Sequence, residues 1–116
     1  MLNTTAKFDE LVFFAQVKKR PGVFLGKQSL LSLRDQLFGM SYAFSFNYQE
    51  SPLKYFNLFV AWYHEELIKN PDVCACWWNH ILYTSGNDDV CAFKSFFSKF
   101  EKYLLDVHNV CLPEVT

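Results

Sequence analysis

Glycine is scarce in this chain of 116 residues, with four in all, at positions 22, 26, 39 and 86. After the first pair no two stand close enough to form a loop that cradles phosphates, which argues against a nucleotide-binding motif. Long apolar runs are missing too: Lys54, Asn57 and the Glu65-Glu66 pair punctuate the most hydrophobic region, so no segment reaches the roughly twenty apolar residues of a membrane span. The start, Met1-Leu2-Asn3-Thr4-Thr5, lacks a basic-then-apolar export pattern, and the sequence predicts a cytoplasmic protein. Cys74, Cys76, Cys91 and Cys111 are irregularly spaced, as expected of small buried, reduced side chains rather than a disulfide framework. No period-two alternation long enough for a strand is present, and no internal repeat.

What is abundant is apolar surface, and above all rings. Half the residues are hydrophobic and a fifth are charged, a balance that supports one folded domain over residues 1–116. Thirteen Phe, six Tyr and three Trp exceed what a small core requires. The net charge of -1 conceals an asymmetry: through Arg34, six Lys/Arg face Asp9 and Glu10, a net of +4, while from Asp35 onward five Lys face ten Asp/Glu, a net of -5.

The apolar spacing predicts an all-α, compact bundle of about five helices around a central aromatic-rich helix. Thr4 or Thr5 caps a first helix to about Lys19, with Asp9 and Glu10 near its positive end and Lys18, Lys19 and Arg20 near its negative end. Pro21-Gly22 stops it, Val23-Phe24-Leu25 is an extended link, and Gly26 permits a sharp turn before Ser29 caps a helix from Leu30 to about Phe46. There Leu30, Leu33, Leu37, Met40 and Phe44 share a face, and Gly39 is a close-packing point. Ser51-Pro52 starts and Lys69-Asn70-Pro71 closes the expected central helix, which is apolar on most sides and therefore expected to be surrounded. Asp72 caps a fourth helix, Val73 to Ser85, ended by Gly86; Asn87-Asp88-Asp89 opens a fifth, Val90 to about Val107, with Phe93, Phe96, Phe97, Phe100 and Leu104 inside.

Candidate chemistry is thin. Cys74 and Cys76 point about 200° apart on a helix and cannot easily share a metal. Cys76 and His80, four apart, share a face, and a thiol or metal enzyme built on them predicts bound zinc or a reactive cysteine, but neither an orienting group nor oxyanion donors are visible. The sequence therefore predicts no enzyme, no cofactor and no metal. Lys18-Lys19-Arg20 with Lys27, Arg34 and Phe24 is the one nucleic-acid patch on offer, and helix-end compensation already accounts for three of its charges. A small nucleic-acid-binding or regulatory module using this basic third is the alternative reading. Glu65, Glu66, Asp72, Asp88 and Asp89 are candidate acids facing a basic partner, and Trp78 and Tyr83 candidate aromatic anchors.

Two resemblances bear on function. Lys19-Arg20-Pro21-Gly22-Val23-Phe24-Leu25-Gly26 is similar to a stretch near the start of gyrase-type ATPase subunits, but the glycine-rich loops of that family have no counterpart here. Arg20 to Gly26 before a Leu-rich helix, an aromatic helix holding Trp62, then Trp77-Trp78-Asn79-His80-Ile81-Leu82, Gly86-Asn87-Asp88-Asp89 and Ala92-Phe93-Lys94-Ser95-Phe96-Phe97 resemble small helical bacterial immunity proteins of contact-dependent growth inhibition and related toxin systems. The resemblance implies an all-helical inhibitor whose partner is a cognate toxin domain. A nuclease partner, with its basic cleft, suits an inhibitor whose last two-thirds are acidic.

Overall fold

The computed structural model describes residues 8–47, 51–68 and 76–115, and among them every regular element is helical. The order is α1 (Glu10–Lys19), α2 (Pro21–Leu25), α3 (Leu30–Asn47), α4 (Lys54–Glu66), α5 (Trp77–Thr84) and α6 (Asp89–Tyr103), with a wide π-helical turn at Leu104–His108. None of these helices is long and apolar enough to cross a membrane.

Helix α1 starts where Asp9 accepts from the amides of Leu11 and Val12 at 3.1 and 3.2 Å, so the cap is Asp9; Thr4 and Thr5 lie outside the described residues. Its Lys18 and Lys19 sit in the last turn, beside the negative end of the helix dipole. The expected extended link at Val23–Leu25 is instead the short helix α2. Pro21 stands at its start, where a φ near -65° suits a first helical turn as well as it ends the previous helix. Gly26 then takes φ of 80°, and Ser29 caps α3 by accepting from the Ser32 amide at 3.0 Å.

Along α3, Leu30, Leu33 and Leu37 are buried and Met40 and Phe44 pack at the margin of the core. Gly39 is no close-packing point, because a Cβ there would meet nothing within 4 Å. Helix α4 begins two residues later than Ser51-Pro52 suggests. Ser51 accepts from the Leu53 amide, whereas the first turn of α4 is capped from a distance by the buried Glu10 carboxylate, which accepts from the amides of Tyr55 and Phe56 at 2.9 and 2.7 Å.

The aromatic-rich helix at the centre is α6. It buries Ala92, Phe93, Phe96, Phe97, Phe100 and Tyr103, and Phe96 alone meets the rings of Phe14, Phe56, Phe59 and Trp77, drawn from three other helices. Helix α4 is not surrounded. It buries Phe56, Phe59 and Tyr63 and turns Lys54, Asn57, Ala61 and Glu65 to solvent, because these polar and small residues recur at helical spacing down one side, with Leu58 carried out beside them. Burying a Phe side chain contributes about 1.5–3 kcal/mol, so the six rings and alkyl groups of α6 outweigh the three of α4 in setting the centre.

Helix α5 ends in a Schellman arrangement: the Gly86 amide donates to the Tyr83 carbonyl and the Asn87 amide to that of Leu82, with both residues left-handed at φ of 69° and 61°. After the π turn, Asn109 reverses the chain at φ of 55°. Val110 and Leu112 then pack on the core, and Lys19 donates from Nζ to the Val115 carbonyl.

Candidate functional site

The helices divide the predicted site residues among three places. Trp78 projects from α5 toward α3, where its ring meets Phe38 edge-on at 5.3 Å and lies under the Arg34 guanidinium at 5.4 Å. From Phe38 the row continues along α3 through Tyr42 to Phe46, spaced i, i+4, i+8 and therefore on one face. These three are 52, 70 and 71% exposed, and the Tyr42 and Phe46 rings meet edge-on at 5.1 Å. By helical geometry that face lies roughly 150° around α3 from the leucines it buries.

Tyr83, 70% exposed, points outward from the last turn of α5. Glu65 and Glu66 are exposed at the end of α4, with no ion-pair partner among the described residues. Leu67 and Thr84 line a common groove of about 340 Å³ together with Trp62, His80, Lys99 and Lys102. The ends of α4 and α5 therefore meet there, and Glu65, Glu66 and Tyr83 adjoin its lining residues Leu67 and Thr84 in sequence.

Under this groove lies a polar pair. The Tyr63 hydroxyl, on a residue with no exposed surface, is 2.6 Å from His80 Nδ1. Burial pushes the Tyr63 phenol up to about 12, so it keeps its proton and shares a hydrogen bond with Nδ1. Burial, and then the nearby Lys99 ammonium, hold the His80 imidazole below its usual value, so the ring is neutral near pH 7. His80 of α5 thus spends Nδ1 on Tyr63 of α4. Cys91 and Cys111 are exposed free thiols, contrary to the expectation of buried cysteines: Cys91 falls on the outer side of α6 and Cys111 on the returning tail.

Asp88 and Asp89 are helix caps. Asp88 accepts from the Cys91 amide at 3.0 Å, and that bond chiefly holds its carboxyl below the usual range. Asp89 reaches across to α3, accepting from the Ser29 hydroxyl and, at 3.1 Å, from the Leu31 amide. Asp88 remains exposed, whereas the Asp89 carboxylate has both oxygens occupied by α3. Asp72 lies outside the described residues.

Three of the six basic residues of the N-terminal third have partners, while Arg20 and Lys27 stand exposed. Lys18 pairs with Glu101 at 2.7 Å, Lys19 donates to Val115, and Arg34 holds Asp35 at 2.8 Å. The groove of about 500 Å³ between α1 and α6 that Lys18 and Lys19 line thus has two of its three lysines occupied. No group of three or more His, Cys, Asp or Glu among the described residues is placed to hold a metal ion.

Sequence reasoning missed Glu10, Tyr63 and the row on α3. Glu10 carried a signal, since it stands at i-4 and i-7 from the buried Phe14 and Val17 and so interrupts an apolar stripe with a charge. Phe38, Tyr42 and Phe46 also carried one, as large rings at helical spacing off the leucine face. Tyr63 had none, because its role depends on a partner from another helix. No protein-family model matches this chain, and no curated protein or solved structure matches it either.

Proposed function

We propose that this chain is an immunity protein that binds a cognate bacterial toxin domain, a nuclease, and neutralises it by covering its active site or substrate surface. The observation that carries the reading is the exposed ring row Phe38, Tyr42 and Phe46 on α3, extended by Trp78. Large aromatics dominate the energetics of protein interfaces, and contiguous exposed apolar patches mark places where another molecule docks. At about 200 Å² per aromatic side chain the three exposed fractions amount to roughly 400 Å² of ring surface. That is about half of the ~800 Å² one partner contributes to a stable complex. Polar surface must supply the rest, and the exposed Glu65, Glu66 and Asp88 offer negative charge to the basic cleft of a nuclease.

The experiment is co-expression with the toxin encoded next to this gene, followed by co-purification and a growth-protection assay. The intact chain is expected to form the complex and restore growth. Replacing Tyr42→Ser and Phe46→Ser should leave the melting temperature unchanged and weaken binding about 30-fold or more, the loss of one interface hot spot. Absence of both complex and protection sinks the proposal.

A further inference from the structure

From Gln36 to Phe46 helix α3 carries no charged side chain, although its outer side faces water. A helix that covers a core ordinarily turns charged residues outward. Here the outer side holds Phe38, Tyr42 and Phe46 as a ridge at i, i+4 and i+8, and Gly39 and Ala43, in the next row around the helix, lie beside it as a shallow groove. The space over Gly39 is open, since a Cβ there would meet nothing within 4 Å. Ser45 adds little polarity, because its hydroxyl donates to the Tyr42 carbonyl at 2.6 Å within the helix. The rings are already ordered, Tyr42 edge-on to Phe46 at 5.1 Å and Phe38 edge-on to Trp78 at 5.3 Å, so docking on them costs little side-chain freedom. At the head of the row Arg34 and Asp35 neutralise each other at 2.8 Å.

We propose that this face pairs with the same face of a second copy of the chain, α3 crossing α3 about a two-fold axis. A two-fold interface must be self-complementary, and a residue at its centre meets its own copy, so a charge there is set against a like charge. A ridge of rings beside a groove of glycine and alanine meets the first requirement, and the uncharged stretch from Gln36 to Phe46 meets the second. Ridges at i±4 settling into i±4 grooves cross at roughly -50°, with Tyr42, the middle of the row, near the crossing point. Roughly 400 Å² of ring surface per copy makes about 800 Å² for the pair. Gly39, Ala43 and the edge of Trp78 bring it toward the ~1,200 Å² at which stable pairs begin, so the association is reversible, with Kd on the order of 1–100 µM. The pairing goes beyond the toxin reading and does not need it, although a toxin that took the same rings would have to separate the copies first.

The test is analytical ultracentrifugation of the intact chain, alone, from about 1 to 500 µM. The mass should rise with concentration from 13.6 kDa toward twice that value and stop there. Tyr42→Asp, on a largely exposed side chain, sets two carboxylates against each other at the axis and should weaken pairing at least about 30-fold. Gly39→Gln fills the groove without a clash inside its own chain, so it should keep or raise the melting temperature while weakening pairing about tenfold. Leu105→Asp, at another exposed apolar side chain on the turn after α6, should leave the pair unchanged. A chain that stays monomeric at the highest concentration, growth past the dimer, or a pair that survives Tyr42→Asp overturns the assignment. A monomer that still binds the toxin leaves the toxin reading standing without this one, and a dimer that binds no toxin does the reverse.

Discussion

Removing the Glu10 carboxylate tests whether a charge on α1 starts α4. Both oxygens are used, one on the Tyr55 amide at 2.9 Å and one on the Phe56 amide at 2.7 Å, and the residue is 7% exposed. Glu10→Ala leaves two amides at a partly buried helix start without a partner, at about 1–3 kcal/mol each. Part of that is returned because a buried carboxylate no longer has to be stripped of water, so a net loss of roughly 2–4 kcal/mol is expected. For a domain of this size about 4 °C of melting temperature accompanies each kcal/mol, which places the variant roughly 8–16 °C below the parent. Glu10→Gln keeps an amide oxygen that can accept, and should lose only about 1 kcal/mol. The two variants also separate by pH. Burial lifts the Glu10 carboxyl above its ordinary 4.5 despite the opposing amide bonds, so the folded chain holds that proton more tightly than the unfolded one. Its contribution is therefore full below 4.5 and drains as pH rises through the raised value, a slope that Glu10→Gln should abolish. Urea titrations across acid to neutral pH measure all of this. A Glu10→Ala chain within about 0.5 kcal/mol of the parent would refute the capping role.

Asp89 is the corresponding tie between α6 and α3, and Asp89→Ala should cost about 1–2 kcal/mol in urea denaturation, with Asp89→Asn losing less because it still accepts from Leu31. His80 gives a slope opposite to that of Glu10. Its imidazole is held below 6.5, so the stability it lends is complete above that value and is lost as pH falls from there through the lowered one. His80→Gln should flatten the denaturation midpoint across that window, and an unaltered slope would count against the burial of the imidazole beside Lys99. Lys18 and Glu101 form an exposed pair, and Lys18→Ala should cost no more than about 0.5 kcal/mol by the same assay.

Much of the architecture is legible residue by residue. Phe93, Phe96, Phe97, Phe100 and Leu104 face inward as their spacing requires, and the leucines of α3 do the same. Gly26 and Gly86 take the left-handed turns expected of them. The errors have physical causes. Ser51-Pro52 reads as a start because local cap chemistry is visible in sequence, whereas a cap in which Glu10 accepts from an amide 45 residues away is not. Counting apolar residues around a helix points to α4 as the centre because it ignores where the polar ones cluster, and Asn57, Ala61 and Glu65 share one side. Of the proposed partner residues, Trp78 and Tyr83 belong to one helix but diverge to different surfaces, and Asp89 serves the fold. Their neighbours in space come from α3 and α4, which no local pattern specifies.

Phe14 is enclosed by the rings of Phe13, Phe56, Phe96, Phe97 and Phe100, with centroid separations from 4.8 to 6.4 Å. Flat side chains have few torsions to surrender, so such an interior orders at small entropic expense. Rotation of any one of them by half a turn, however, needs several neighbours to yield at once. The interior consequently breathes as a unit, and a Phe14 ring flip on the slow side of side-chain motion becomes a clock for loosening of the whole bundle.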